Sequence, residues 1–159
     1  MEINYEIKET DIGKGIFATS FIKTGTRIWS YKLNENVFEY NQDKCISHLN
    51  MLPTLKDQQY FLDMTFGKGD YLCLIIDDGQ YMNHAPGLEA NCKTDIENTG
   101  FGNTGFGNSG SGNCYAIRDI TSGEQLFEDY TTFSHPVFLY ELLEKYNHKP
   151  TYYELPACK

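Results

Sequence analysis

The stretch 80-QYMNHAPGLEAN-91 decides how this chain is read. It follows an apolar segment, 71-YLCLIID-77, and a turn-like Asp77-Asp78-Gly79. Asn83 and His84 therefore stand side by side where a core-bound strand has just ended. Two such side chains are either a satisfied polar pair in a core or the beginning of a binding site. A metal site needs further ligands at workable spacing, and His48, His135 and His148 form no pattern with His84. A nucleophilic triad needs a Ser or Cys at an elbow, and no G-x-S-x-G is present.

Two other stretches carry possible chemistry. The first, 13-GKGIFA-18, matches the G-x-G-x-x-A dinucleotide fingerprint on its face. That fingerprint requires a helix starting at the glycines. Here Ile16, Phe17, Thr19, Phe21 and Ile22 follow, and they favour strand. The segment is then either a plain tight turn or a turn whose glycines let backbone groups approach a ligand. The second, 123-GEQLFEDY-130, ends in Tyr130, which taken alone reads as packing.

Composition narrows the class. The 159 residues suit one domain with one core, and 40% hydrophobic with 22% charged residues is the balance of a globular protein. A net charge of -9 argues against direct nucleic-acid binding and fits a basic partner, though solubility alone also explains it. Cys45, Cys73, Cys92, Cys114 and Cys158 contain no C-x-x-C pair and are odd in number, so reduced thiols are expected rather than zinc or disulfides. Cys92 and Cys114 could face each other across a hairpin. The polar, acidic start lacks the features of a signal peptide, and the run 71–76 is too short to cross a membrane. An intracellular protein is expected, in nucleus or cytoplasm; oligomeric state is not readable.

Read in order, residues 2–8 alternate as a half-buried strand, with Ile3, Tyr5 and Ile7 on one face. Residues 11–15 read as a turn, and 16–22, 27–31 and 37–40 as strands. Cys45, Ile46, Leu49 and Leu52, then Leu55, Tyr60, Phe61 and Met64, have helical spacing on either side of Pro53, predicting two short helices in a helical insertion over 43–69. Residues 67–69 close that part. Residues 71–77 are expected as a buried strand, followed by 90–96. The pentads 99-TGFGN-103, 104-TGFGN-108 and 109-SGSGN-113 read as the flexible tip of a hairpin over 97–113, leading into a strand at 114–117. Residues 125–127 continue as a strand. A helix and tail occupy 134–159. Ser134 or His135 is its expected cap, Pro136 lies in its first turn, and Phe138, Leu139, Leu142, Leu143 and Tyr146 are its apolar face. No βαβ repeat is found.

Together the three stretches resemble the SET-domain protein-lysine methyltransferases. The resemblance opens at 12-IGKGIFATSFIKTGTRI-28 and continues through 70-DYLCLIID-77 and the 83-NH-84 pair, with Asn91 downstream. It closes on 116-AIRDITSGEQLFEDY-130, the most specific piece. It implies a single SET domain over 1–159, mainly β with short helices: small, mostly antiparallel sheets around a C-terminal pseudoknot. It implies S-adenosylmethionine as cofactor, a lysine of a basic protein or histone-like tail as substrate, and no metal. By position, Lys14, Gly15, Ile16 and Phe17 would give backbone contacts to the cofactor, Asn83 and His84 would hold it, and Tyr130 would stand at the methyl-transfer point and touch the cofactor as well. Tyr71 resembles the channel tyrosine.

This chain departs from the family in four places. Ala85 to Ala90 replaces the usual Cys and Pro-Asn, and the spacing from Asn83 to Asn91 is longer than usual. Glu128 stands where many members have the Phe or Tyr that influences methyl number. Only Cys158 stands where many histone-directed members carry a zinc cluster. Phe133, the helix around Phe138, or Tyr152 and Tyr153 would then have to cover the site. A second reading is a SET-fold module that binds a peptide or partner without turnover.

Overall fold

The computed structural model describes residues 1–95 and 111–149. The chain divides into two compact units, one made of residues 1–32 and 76–132, the other of 33–75 and the residues from 133 onward. Among the described residues the elements are β1 (Tyr5–Thr10), β2 (Gly13–Ala18), β3 (Arg27–Trp29), β4 (Val37–Tyr40), α1 (Gln42–Met51), α2 (Leu55–Asp63), β5 (Thr65–Lys68), β6 (Tyr71–Ile75), β7 (Asn83–His84), β8 (Cys92–Thr94), β9 (Cys114–Ala116), β10 (Phe127–Glu128) and α3 (Val137–Lys145), with three short 3-10 turns.

In the first unit, β1 and β2 form an antiparallel hairpin running from Tyr5↔Ala18 to Thr10↔Gly13. The turn is tighter than expected. The Thr10 hydroxyl donates to the Gly13 carbonyl at 2.6 Å and accepts the Ile12 N–H at 3.3 Å. Gly13 takes φ +102°, a conformation other residues rarely adopt. Both glycines of the G-x-G stretch therefore belong to β2 rather than to a turn. The strand ends at Ala18, and Ile22 makes only an isolated two-way bridge with Ile120.

The remaining strands of this unit form one sheet in the order β3-β9-β8-β10-β7. Strand β9 is antiparallel to both β3 and β8, whereas β10 lies parallel to both β7 and β8. Residues 85–91 join β7 to β8, and β10 is inserted between the two strands so joined. That threading is the pseudoknot the resemblance implies. Ile16, Ala18, Ile28, Trp29, Ile120 and Leu126 are buried in this unit. Cys92 and Cys114 occupy diagonal positions on one face of β8–β9, as free thiols within hydrogen-bonding reach. The tip expected over 97–113 lies outside the described residues up to 110. Its closing base is fixed by Asp95, whose N–H donates to the Asn113 carbonyl at 2.9 Å and whose carboxylate accepts from Ser111.

In the second unit, β4, β6 and β5 form an antiparallel sheet in that order. The two expected helices are present. Asn41 caps α1 on Lys44 N–H, and Thr54 caps α2 on Asp57 N–H, with Pro53 between them. Cys45, Leu49, Phe61, Leu62, Leu72, Phe138, Leu139, Leu142, Leu143 and Tyr146 form the core, so the apolar face read for α3 is the buried one. Two readings need correction. Residues 65–68 are a strand paired to β6, not merely the end of a helical insertion. Gly67 is required there because a Cβ would lie 1.8 Å from the Ser134 carbonyl oxygen. Pro136 itself occupies the cap position of α3, without a side-chain bond, while the Ser134 hydroxyl accepts from Gly69 N–H at 3.0 Å. Residues 150–159, with Tyr152, Tyr153 and Cys158, lie outside the described residues.

Candidate functional site

The Asn83-His84 stretch is fixed at its start by Asp77. Its carboxylate accepts the Trp29 indole N–H with both oxygens at 3.0 Å and the Gly79 N–H at 3.0 Å, while Asp78 accepts the Tyr5 hydroxyl at 2.6 Å. Strand β7 then pairs Asn83 with Phe127 and His84 with Glu128. This pairing turns two adjacent side chains toward two different partners.

Asn83 reaches β2, where its Nδ2 donates to the Lys14 carbonyl at 3.0 Å. Gly15 lets two side-chain amides approach β2 closely. A Cβ there would come within 2.4 Å of Gln125 Nε2 and 3.1 Å of Asn83 Nδ2. The Lys14 ammonium lies 5.3 Å from the centre of the Tyr81 ring. Ile16 is fully buried and its carbonyl accepts from Leu126 N–H at 2.8 Å. Phe17 is half-buried, bridged to Gln125, with the Lys8 ammonium 4.9 Å from its ring centre.

His84 reaches Tyr130. Its Nδ1 lies 3.1 Å from the Tyr130 N and 3.2 Å from the Glu128 carbonyl oxygen. One nitrogen cannot accept from the first and donate to the second at the same time. The Glu128 carbonyl already receives the Ala85 N–H at 3.1 Å, so the tautomer that satisfies every group carries its proton on Nε2, and Nδ1 accepts from Tyr130. The two rings lie 5.4 Å apart, and the Tyr130 hydroxyl donates to the Met82 carbonyl.

Asn91 closes the threaded strand. It is 0% exposed. Its Nδ2 donates to the Gln125 carbonyl at 2.7 Å and to Glu124 at 3.1 Å, and its Oδ1 accepts from Phe127 N–H at 2.8 Å. Burial pushes the Glu124 carboxyl up, but bonds from Arg118, Thr121 and Asn91 outweigh it and hold the group at about 2. Asp129 follows the same logic. Burial opposes ionisation, yet bonds from Thr131 and from Gly87 N–H hold its carboxyl below the usual range. The longer spacing between Asn83 and Asn91 is taken up in a short turn at Gly87–Glu89, with Leu88 fully exposed. The knot closes around it.

Of the residues read from sequence, Lys14, Gly15, Asn83, His84 and Tyr130 meet within the first unit. Ile16 and Phe17 join them through β2. Tyr71 opens β6 of the second unit, paired with Lys68 and half-exposed. Sequence reading quotes Asn91 and Glu128 but gives neither a structural role, and it passes over Met82 and Gln125. For Met82 no signal exists, because the group used is a main-chain carbonyl.

Comparison with known proteins agrees with this geometry. A search of the curated proteins returned no match. Among solved structures, a Plasmodium falciparum protein provisionally described as a histone methyltransferase is similar in fold, at 18% identity and a TM-score of 0.50, over 82% of this chain and 95% of that one. A family model for the SET domain matches residues 13–131, which include the threaded strand β10, its neighbours β7 and β8, the hairpin glycines and Tyr130. With three quarters of its length matched and its strand β10 threaded as that fold requires, this chain belongs to the SET-domain family.

Proposed function

We propose that the chain is an S-adenosylmethionine-dependent protein-lysine methyltransferase whose substrate is a basic protein segment, such as a histone tail. SET-domain proteins are in general lysine methyltransferases and generally use that cofactor. The observation that carries the reading is the meeting of three segments distant in sequence. Asn83 is bonded to Lys14, and His84 is bonded to Tyr130. The residues suit an amino-acid cofactor. The partly exposed Asn83 and His84 side chains and the exposed Lys14 offer amide, imidazole and cationic donors for a carboxylate-bearing ligand.

The bound cofactor supplies a methyl group activated by its sulfonium. What remains for the protein is positional. A lysine amine has a reference pKa of about 10.4 and must arrive neutral, which a dry aromatic surrounding favours. Holding that nitrogen in line with the methyl carbon supplies much of the acceleration. Tyr130 and nearby carbonyl oxygens can hold the methyl by weak C–H···O contacts. Tyr71 is retained as the second tyrosine on the resemblance alone.

The test is calorimetric titration with S-adenosylmethionine of the wild type and of Asn83→Ala, followed by basic peptides with labelled cofactor. One-to-one binding lost in Asn83→Ala, with label appearing on lysine, supports the reading. Binding without transfer to any basic peptide favours the partner-binding alternative. No binding by folded protein at millimolar cofactor, with peptide present, overturns it.

A further inference from the structure

Glu128 takes no part in the reading above, yet it is the most costly group near Tyr130. Its side chain is buried, 5% exposed, at the inner strand of the sheet. It stands opposite His84 on one side and Cys92 on the other. Its carboxyl accepts the Thr94 main-chain N–H and bonds the Thr94 hydroxyl. Its main-chain carbonyl accepts from Ala85. The neighbouring residues are tied to the preceding loop: Phe127 to Asn91, Asp129 to Gly87, and Tyr130 to His84 and Met82. The Glu128 carboxyl reaches beyond that loop to Thr94 on β8. It thus braces β10 on its second flank, two residues before Tyr130.

We propose that Glu128 is a positioning residue, whose side-chain brace on Thr94 holds Tyr130 against His84 and Met82 in the geometry used for methyl transfer. This rests on the methyltransferase reading. The charged and titratable groups around it are His84 from β7, Cys92 and Lys93 from β8, Cys114 from β9, and Asp129 on its own strand. Burial pushes its carboxyl up to about 7, Asp129 adds to this, and the Thr94 bonds and Lys93 oppose it. The Cys114 thiol, bonded to Cys92 and buried, is pushed well above its ordinary value and offers no compensating charge. The carboxyl is then about nine-tenths protonated at pH 6 and about one-tenth at pH 8. Ionised, it accepts from Thr94 more strongly but is a charge buried in an apolar sheet beside Asp129, so opening of β10 to water becomes less costly and Tyr130 is held less firmly.

The experiment compares wild type with Glu128→Gln, which keeps the shape and stays neutral. Amide shifts of Thr94 and Tyr130 are followed by nitrogen-15 NMR from pH 5.5 to 8.5, beside kcat and KM for a basic peptide. The wild-type Thr94 and Tyr130 amides should share a midpoint near 7 that Glu128→Gln lacks. The ratio of kcat in Glu128→Gln to that in wild type should rise about tenfold from pH 6 to 8, with KM little changed. Because it is a ratio, the ionisation of the substrate lysine cancels. A Tyr130 titration identical in both proteins, or a flat ratio, overturns the proposal. If wild type transfers no methyl at all, the functional reading fails, and the amide titration still decides whether Glu128 positions Tyr130. If Glu128→Gln does not fold, Thr94→Val, which removes the hydroxyl partner of the brace, takes its place, and an unchanged Tyr130 amide then overturns the proposal.

Discussion

Asn91→Ala should unfold the threaded strand more readily than any cavity of that size would explain. Asn91 is wholly buried, and its amide satisfies the Gln125 carbonyl and the Phe127 N–H while also touching Glu124. Alanine leaves two main-chain groups without these partners. Each such group costs about 1–3 kcal/mol, so the loss should be about 4 kcal/mol, a large share of the about 5–15 kcal/mol that holds a domain of this size. The only tryptophan, Trp29, is buried in the same unit, so its fluorescence in urea reports the unfolding of that unit. At a slope of about 2 kcal/mol per molar, the midpoint should fall by about 2 M. Asn91→Asp is the matched control. It keeps an acceptor for Phe127 but points a second oxygen at the Gln125 carbonyl and Glu124, so it should be at least as damaging at pH 7 and partly recover in acid. A loss below about 1 kcal/mol in Asn91→Ala would refute the idea that this side chain pins the knot.

Glu128→Gln should show a stability advantage that depends on pH. The carboxyl ionises near 4.5 in the unfolded chain and near 7 in the folded one, because burial disfavours its charge. Its contribution is therefore intact below about pH 4.5 and is lost as pH rises to about 7. The variant should gain about 3 kcal/mol on wild type over that window and nothing further above it; a constant difference from pH 5 to 8 in urea unfolding would contradict this. Gly15→Ala should weaken calorimetric cofactor binding, since its Cβ would displace the Gln125 and Asn83 amides, and unchanged affinity would remove Gly15 from the site. Gly67→Ala should cost about 3 kcal/mol or more by thermal unfolding, because its Cβ would overlap a main-chain oxygen rather than a movable side chain. An unchanged melting temperature would show that the chain at Ser134 yields freely.

The legible parts of this fold are those whose information is local. The spacing of Cys45, Leu49 and Leu52, with Pro53 behind them, suffices for α1, and the same holds for the buried face of α3. Strand β5 was illegible because Thr-Phe-Gly-Lys has no alternation to read; it is a strand because β6 offers an edge and Gly67 lets the Ser134 backbone approach. At the site, Asn83, His84 and Tyr130 could be picked out by their order along the chain. The work of Asn91 and Glu128 could not. Strands of two or three residues are too short for periodicity, and their partners lie 33 to 44 positions away in sequence. Gly13 and Gly15 misled because both signal a turn, yet Gly13 opens a strand at φ +102° with open space around it and Gly15 lies against the Gln125 amide.

The insertion of β10 between β7 and β8 also sets an order of assembly. Until residues 127–130 have been synthesised, β7 and β8 have no strand between them, and both present unpaired edges toward the gap. The loop 85–91 must already be poised when the later segment arrives, and that segment enters a space with neighbours on both sides. Contacts across such long stretches of chain form slowly. The site is thus complete only once Tyr130 has emerged, and a nascent chain released before it would carry the candidate residues of the hairpin and β7 without the strand that joins them.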